Sequence, residues 1–276
     1  MTTSSEAPGS NVATCGPAFA RCRQQARAAL IPYVTAGYPS ADTTGEVLAM
    51  LAETGADVIE LGVPFSDPLA DGPIIQRASQ QAIRSGTTLE SSLRDLAAFR
   101  REHTVPVVIF SYLNPVLHYG IETFLADAVQ AGAGGVLLTD LPAGADARLE
   151  DRIDASGLDR IRLVAPTTGP ERLRVIADNA RGFLYYISRT GVTGAPTERG
   201  GALGKEVAAV RRISPVPVAV GFGVDSAARA HQVARAADGV VVGSALVERL
   251  GAGGTDAAAG LMRDLRNAMH VEAHAA

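Results

Sequence analysis

Residues 60–73 read ELGVPFSDPLADGP, and this stretch decides how the chain is interpreted. Residues 57–61, which overlap the start of this stretch, form a mainly apolar run that predicts a short buried strand. The carboxylate of Glu60 lies near the end of that run. A loop rich in proline and glycine follows, and it carries Asp67 and Asp71. Acids on a loop at a strand end are typical of barrel enzymes, whereas a solvated acidic turn is the simpler alternative for such a loop alone.

The same kind of apolar run recurs along the chain. Most runs are rich in valine and isoleucine, as buried parallel strands are. Segments with helical periodicity separate them, and the clearest are 43–55, 89–101, 123–131 and 227–236. The eight predicted strands are 30–34, 58–61, 105–110, 135–138, 161–165, 183–187, 216–220 and 239–242.

Eight strands alternating with helices predict a single (β/α)8 TIM barrel, an α/β fold. A doubly wound sheet is the alternative, but the turn at 35–39 lacks the glycine fingerprint of that fold. No linker or shift in composition marks a second domain. We therefore expect a short disordered tail at 1–16, where polar residues, proline and glycine predominate, and a catalytic barrel at 17–270.

Composition excludes several classes of function. The chain has 276 residues and a formal net charge of −4, so a basic nucleic-acid surface is not expected. No apolar run reaches the length of a membrane span, and the N-terminus lacks the apolar core of a signal peptide. Cys15 and Cys22 fit no metal or redox spacing, which favours a reducing, cytoplasmic location.

Lys205 is the only lysine, and it follows a glycine-rich segment that predicts a helix start outside the barrel. Schiff-base chemistry needs a lysine in the active site. The sequence therefore favours acid–base catalysis for any carbon–carbon bond cleavage. The five histidines are scattered and form no metal-spaced pair, so no metal is predicted.

Glu60 and Asp71 are the candidate catalytic pair. Active sites of such barrels lie at the C-terminal ends of the strands, and the loop after Glu60 can fold back to bring Asp71 to the same mouth. Burial between apolar neighbours would keep Glu60 protonated to higher pH, so that the two acids could divide the proton-transfer roles. A helix cap or a surface salt bridge is the alternative for either acid.

Two glycine-containing turns predict a phosphate site. Residues 220–224 read VGFGV and residues 242–245 read VGSA, each at the end of a predicted strand. The last two loops of a barrel commonly bind phosphate through backbone N–H groups, to which a serine adds a hydroxyl. Ordinary turn glycines are the alternative. The candidate phosphate ligands here are Gly221, Gly223, Gly243 and Ser244.

Residues 196–204 follow the sixth predicted strand and its SRTGVTGA continuation at 188–195, and they are rich in glycine and proline. Such a long connection is a candidate lid that would exclude water from the site. A mobile surface loop is the alternative.

These strings together resemble the tryptophan synthase alpha subunit family over about residues 17–270. The matching strings are ELGVPFSDP, DPLADGP and SRTGVTGA. The resemblance implies retro-aldol cleavage of indole-3-glycerol phosphate to indole and glyceraldehyde 3-phosphate. It assigns proton transfer at ring carbon 3 and at the side-chain hydroxyl to Glu60. It makes Asp71 the acceptor of the indole N–H.

The resemblance also implies further contacts. It places Thr193 close to Asp71 on lid closure and adds Gly194 to the phosphate ligands. The residues it assigns to the indole slot are Tyr33, Phe110, Leu137 and Tyr185, each of which alone could equally be barrel core. Tyr33 stands where the family often has phenylalanine, and Tyr38 replaces a common aspartate.

The family pattern implies a partner. Pro64, Asp67 and Asn114 correspond to regions that contact a beta subunit, in an expected α2β2 tryptophan synthase heterotetramer. Pyridoxal phosphate is expected in that beta subunit, and no cofactor in this chain. Two other hypotheses remain open from sequence: a phosphate-binding barrel with different chemistry, and an inactive barrel that activates a partner.

Overall fold

The computed structural model describes residues 13–187, 200–221 and 223–269. Its nine strands are β1 (Ala29–Thr35), β2 (Ile59–Gly62), β3 (Val107–Ser111), β4 (Gly135–Leu138), β5 (Asp159–Arg160), β6 (Arg162–Val164), β7 (Leu184–Ile187), β8 (Val218–Gly221) and β9 (Gly239–Val242). All eight predicted strands are confirmed, and the fifth is divided at Ile161 into β5 and β6.

Helices alternate with these strands. They are α1 (Cys15–Gln24), α2 (Thr44–Glu53), α3 (Pro73–Arg84), α4 (Leu89–Phe99), α5 (Leu113–Tyr119), α6 (Ile121–Gln130), α7 (Ala147–Ser156), α8 (Pro170–Asp178), α9 (Gly200–Ile213), α10 (Ala227–Ala234) and α11 (Ser244–Ala268). The four helices predicted most clearly correspond to α2, α4, α6 and α10. None of the helices in the described part of the chain has the length and apolar character needed to span a membrane.

The sheet is parallel and closes into a barrel. Its order is β5-β4-β3-β2-β1-β9-β8-β7-β6. β5 pairs with β4, and β6 pairs with β7. Between them the Ile161 N–H donates to the carbonyl of Val136 at 3.0 Å. Since β5 and β6 are halves of one barrel strand, both edges of the sheet meet there, and the predicted (β/α)8 barrel is confirmed.

Alternate strand residues face two separate apolar layers, because successive side chains point to opposite sides of a sheet. The larger layer packs the outside of the barrel against the helices, and it includes Leu30, Leu61 and Val220. The inner layer includes Ile31, Val108 and other residues of the barrel interior.

Helix α1 covers the N-terminal end of the barrel. Its Phe19 contacts the ring of Phe183 at a centroid distance of 5.5 Å, and its Cys15 N–H donates to the Asp159 carboxylate at 2.7 Å. The helix begins two residues before the predicted barrel boundary, so Cys15 and Gly16 belong to folded structure and not to the expected tail. Residues 1–12 lie outside the described residues.

Helix α1 ends in a turn with an unusual residue. Ala26 has a φ of +51°, the left-handed region in which glycine is the common residue. The Ala26 N–H donates to the carbonyl of Arg23, and the Arg27 N–H donates to the carbonyl of Cys22. These two bonds define a Schellman motif that needs the left-handed conformation at Ala26.

We expect Ala26→Gly to stabilise the fold, because glycine adopts this conformation without the steric cost of a Cβ. The gain is about 1 kcal/mol after the greater freedom of glycine in the unfolded chain is subtracted. Urea unfolding followed by circular dichroism would measure it. Ala208→Gly, at an exposed interior position of α9, is the matched control and should lower the free energy of unfolding by roughly 0.5–1 kcal/mol. Equal destabilisation by both changes would contradict the prediction.

Candidate active site

Glu60 lies on β2 with its side chain in the barrel interior, opposite Tyr33 of β1 and Val108 of β3. It is fully buried, and neither carboxylate oxygen has a hydrogen-bond partner among the described residues. Burial disfavours the charged form, which raises the pKa of Glu60 to about 8. This carboxyl group is therefore neutral at pH 7 and able to donate a proton.

Asp71 lies at the end of the loop that follows β2, two residues before α3 begins at Pro73. The hydroxyl of Tyr112 donates to Asp71 Oδ2 at 3.1 Å and accepts the Ala70 N–H at 2.9 Å. Burial raises the pKa of Asp71 to about 6, and the Tyr112 hydrogen bond opposes that rise. At pH 7 Asp71 is consequently ionised while Glu60 is protonated.

One cavity of about 520 Å³ at the C-terminal end of the barrel brings both acids together. Aliphatic and aromatic side chains form most of its wall, and glycines form part of its rim. Of the predicted site residues in the described part of the chain, it is lined by Tyr33, Glu60, Asp71, Phe110, Tyr185, Gly223, Gly243 and Ser244. The combination of an apolar cavity with two acids of displaced pKa is typical of an active site.

The aromatic wall depends on two glycines. The ring of Tyr33 meets that of Phe110 edge to face, with a centroid distance of 5.1 Å. A Cβ on Gly62 would lie 2.2 Å from the Tyr33 hydroxyl oxygen, and a Cβ on Gly221 would lie 2.2 Å from that of Tyr185. Each tyrosine ring thus lies over a glycine of the neighbouring strand, where a larger residue would displace it.

The extra hydroxyl of Tyr33 has a partner. It lies 3.4 Å from the hydroxyl oxygen of Thr35, which is also buried. Burial, followed by the charge of Asp71, raises the pKa of Tyr33 far above its usual value. Tyr33 therefore remains a neutral polar group in the aromatic wall.

Leu137 departs from the prediction. It is fully buried in the inner layer with Val108, Ile161 and Phe183, and it does not line the cavity. The inner layer lies beneath the cavity, between it and helix α1. Leu137 therefore belongs to the barrel core, the alternative that its apolar character alone left open.

The predicted phosphate residues are divided between two positions. Gly243 is the N-cap residue of α11, and Ser244 begins that helix, so its first N–H groups face the cavity and favour an anion. Gly223, with a φ of +69°, lines the same end. Gly221 does not line the cavity and instead provides the space beneath the Tyr185 ring.

The predicted lid at 196–204 lies only partly within the described residues. Thr193, Gly194 and the lid residues 196–199 lie outside the described residues, and the remaining part, from Gly200, begins α9. Lys205, the only lysine, is exposed on this helix and does not line the cavity.

The predicted partner residues lie beside the cavity mouth. Asp67 and Asn114 are exposed, whereas Pro64 is buried. The two regions that carry them contact each other, since the rings of Phe65 and Tyr112 lie 5.2 Å apart between centroids. Leu69 and Leu117 in the same regions are 92% and 52% exposed, an unusual degree for leucine.

Other cavity residues were not identified from sequence. Leu163 and Ile187 follow the alternation of inward-facing strand residues, which could have indicated them, whereas Ile74 and Ile75 come from the first turn of α3. Thr139 comes from the loop after β4. Two exposed acids, Asp225 and Glu248, line the same cavity as Ser244.

Residues 13–187, 200–221 and 223–269 contain no group of three or more His, Cys, Asp or Glu side chains that could hold a metal ion.

Residues 19–275 match the family model described as tryptophan synthase alpha chain. The tryptophan synthase alpha chain of Acidiphilium cryptum is 48% identical over 236 residues, which cover 85% of this chain and 86% of that protein. That of Geobacter sulfurreducens is also 48% identical, over 83% of this chain and 87% of the relative.

A solved structure of Mycobacterium tuberculosis tryptophan synthase superposes with a TM-score of 0.87 and 40% identity, covering 94% of this chain and 99% of the other. Tryptophan synthase subunit alpha of Legionella pneumophila gives a TM-score of 0.86 and 35% identity, over 92% and 97% of the two chains.

We expect Tyr112→Phe to raise the pKa of Asp71 above about 6, because the hydrogen bond that favours the carboxylate is removed while burial remains. A pH titration of the Asp71 carboxyl carbon by NMR would measure this shift. Tyr119→Phe, which removes a tyrosine hydrogen bond to Asp127 away from the cavity, is the matched control and should leave Asp71 unchanged. An unchanged Asp71 titration in Tyr112→Phe would refute the role of this bond.

Proposed function

Because the chain belongs to the tryptophan synthase alpha chain family, and so is an enzyme subunit of the tryptophan synthase complex, we propose that it cleaves indole-3-glycerol phosphate to indole and glyceraldehyde 3-phosphate. The observation that carries the proposal is that Glu60 and Asp71 line one cavity with an aromatic wall, where at pH 7 Glu60 is protonated and Asp71 is ionised. Such a division suits a reaction that needs a neutral proton donor together with an ionised carboxylate that stabilises developing positive charge.

In this reaction Asp71 accepts a hydrogen bond from the indole N–H. Positive charge develops on the indole ring when carbon 3 is protonated, and an ionised carboxylate beside the nitrogen stabilises that charge. The bond from Tyr112 occupies Asp71 Oδ2, which holds the carboxylate in one orientation. The remaining lone pairs of Asp71 are then available to the substrate.

Glu60 begins the reaction as the neutral acid. It gives its proton to ring carbon 3 and then removes the proton of the side-chain hydroxyl next to the breaking bond. Cleavage of the carbon–carbon bond leaves its electron pair on the ring and forms the aldehyde of glyceraldehyde 3-phosphate. Glu60 is protonated again at the end, so the proton lost from the hydroxyl balances the proton gained by carbon 3.

The rest of the cavity orients the substrate. Tyr33, Phe110 and Tyr185 provide flat apolar contacts for the indole ring. At the other end, the N-terminus of α11 with Ser244, together with Gly223 and Gly243, would bind the phosphate. Gly221 would act indirectly, because its lack of a Cβ leaves room for the Tyr185 ring. Gly194 would be a further ligand of the phosphate.

We further propose that Thr193 and the segment 196–204 close over the bound substrate and exclude water. The indole product would pass to a beta subunit, which would hold pyridoxal phosphate, in an α2β2 assembly. The exposed Asp67 and Asn114, with the apolar Leu69 and Leu117 beside them, would form the contact surface, and Pro64 would support its loop. Such a mixed surface resembles protein interfaces.

Release of indole from indole-3-glycerol phosphate by the purified chain tests the proposal. We expect Glu60→Gln and Asp71→Asn each to reduce the rate by about 10²–10⁴-fold, because each removes a positioned proton-transfer or charge-stabilising group. The wild-type rate should rise when a beta subunit is added. Asp67→Asn, in the same loop but not lining the cavity, is the control and should keep the rate of the isolated chain. Undetectable wild-type release, despite binding of the substrate, would favour a non-catalytic barrel or a different substrate.

The rate should also depend on pH through both acids. Asp71 must be ionised and Glu60 must be protonated, so kcat/KM is expected to rise as pH passes about 6 and fall as it passes about 8. Steady-state rates between pH 5 and pH 9 would measure the profile. In Glu60→Gln the residual kcat/KM should no longer fall as the pH passes about 8. If the fall persists in this variant, it reports the titration of another group.

A further inference from the structure

A cluster of buried ionic side chains lies outside the barrel wall and away from the cavity. Glu150 of α7 and Arg160 and Arg162 of the fifth barrel strand are each 4–5% exposed, and we call them the arginine cluster. Arg162 Nη2 donates to Glu150 Oε1 at 2.5 Å, and Arg160 Nη1 lies 3.7 Å from Glu150 Oε2. Arg160 also pairs with Asp154 at 3.0 Å.

Stability alone is a weak explanation for this cluster. Removing charges from water is costly, and apolar residues of similar volume in place of a buried ion pair are often neutral or stabilising. The neighbouring Ile161 and Leu163 face the barrel interior, so Arg160 and Arg162 point outward, where helix packing is otherwise apolar. The Nε of Arg162 has no hydrogen-bond partner among the described residues, which adds to the cost.

The cluster binds the backbone of the loop between β4 and α7, residues 139–146. Arg162 Nη1 donates to the carbonyl of Leu141 at 2.8 Å, and the Gly144 N–H donates to Glu150 Oε1 at 2.8 Å. The cluster thus holds this loop at two points three residues apart. Both bonds involve a charged side chain, and charge-assisted hydrogen bonds are roughly twice as strong as neutral ones.

The first residues of the same loop hold Tyr112 from both sides. The Thr139 N–H donates to the carbonyl of Ser111 at 3.0 Å, and the Leu113 N–H donates to Asp140 Oδ1 at 2.7 Å. Ser111 and Leu113 are the direct neighbours of Tyr112. The position of the Tyr112 hydroxyl, which donates to Asp71, is therefore set by the loop.

We propose that Glu150 and Arg162 are positioning residues for Asp71: they anchor the 139–146 loop, the loop fixes Tyr112, and Tyr112 orients the Asp71 carboxylate. The inference rests on the role given to Asp71 in the proposed function. It assigns a task in that reaction to buried charges that have no contact with the cavity. The path consists of hydrogen bonds joined by short stretches of backbone, and the bonds that involve side chains can be removed by substitution.

The paired variant Glu150→Leu/Arg162→Met tests the proposal, because it removes both bonds to the loop without leaving Glu150 or Arg162 charged and alone. We expect a folded protein with a thermal midpoint close to that of the wild type. Its kcat should fall about tenfold or more, since small misplacements of a catalytic group are costly, with little change in KM. The Asp71 carboxyl, followed by NMR, should titrate at higher pH, as expected for Tyr112→Phe.

Conservative and matched variants separate positioning from a structural role. Glu150→Gln keeps an oxygen acceptor for Gly144 and Arg162 but leaves the Arg162 charge without a carboxylate, so the thermal midpoint should fall. The folded protein should still retain most of kcat and the wild-type titration of Asp71. Arg152→Met removes an exposed ion pair of the same helix with Glu122 and should change neither. A folded paired variant with wild-type kcat and an unchanged Asp71 titration would overturn the proposal.

Asp140→Ala keeps the proposal testable should the paired variant fail to fold. Asp140 is exposed, so its loss should leave the fold intact while releasing the Leu113 N–H. The Asp71 titration should again move to higher pH, and Asp140→Asn, which keeps the acceptor oxygen, should restore it. If the Asp71 carboxyl titrates in folded Asp140→Ala as it does in the wild type, the path from the loop through Tyr112 to Asp71 is refuted. Since the titration needs no turnover, absence of indole release by the wild type would count against the proposed function alone.

Discussion

Burial of the Glu60 carboxyl without a hydrogen-bond partner in the described part of the chain is the constraint on which the site depends. A buried ionised carboxylate without a partner is very costly, so the group stays protonated at neutral pH and its pKa lies near 8. Strand β2 carries it inward between β1 and β3, and the inner apolar layer below it excludes water. The closed sheet thus keeps an acid at a pH where an exposed glutamate would have lost its proton.

The second acid has its own environment. Asp71 lies on a loop, is only partly buried, and receives a hydrogen bond from Tyr112, so its pKa stays about two units below that of Glu60. Two carboxyl groups of similar chemistry thereby take opposite protonation states on one cavity. Gly62 and Gly221 contribute indirectly, because only a residue without a Cβ leaves room for the tyrosine rings that form the wall.

The opposite end of the barrel is built for stability. Asp57 accepts bonds from Arg27, Arg266 and the Leu30 N–H, which join the turn after α1, helix α11 and the start of β1. Burial acts to raise the pKa of Asp57, but these bonds outweigh it and hold the pKa below its usual value. Function at the C-terminal ends of the strands and stability at their N-terminal ends is the arrangement expected of this fold. The arginine cluster lies between these two ends, where it anchors the 139–146 loop that positions Tyr112 beside Asp71.

The sequence alone determined the eight strands, the barrel and the two acids, because local apolar periodicity and short motifs encode them. It also indicated the turn at Gly243 and Ser244, where a strand end meets a helix start within a few residues. Only the tertiary structure decided that Leu137 lies below the cavity, that Gly221 admits Tyr185, and that Cys15 begins a folded helix.

The hydrogen bond between Tyr112 and Asp71 is the clearest feature that only the tertiary structure decided, since it joins residues 41 positions apart. No local pattern specifies which hydroxyl will meet which carboxylate after the barrel closes. The absence of a partner for Glu60 among the described residues is likewise a property of the assembled interior. Periodicity determines which residues enter a strand, but burial and hydrogen-bond partners, and with them the pKa values, depend on contacts between distant parts of the chain.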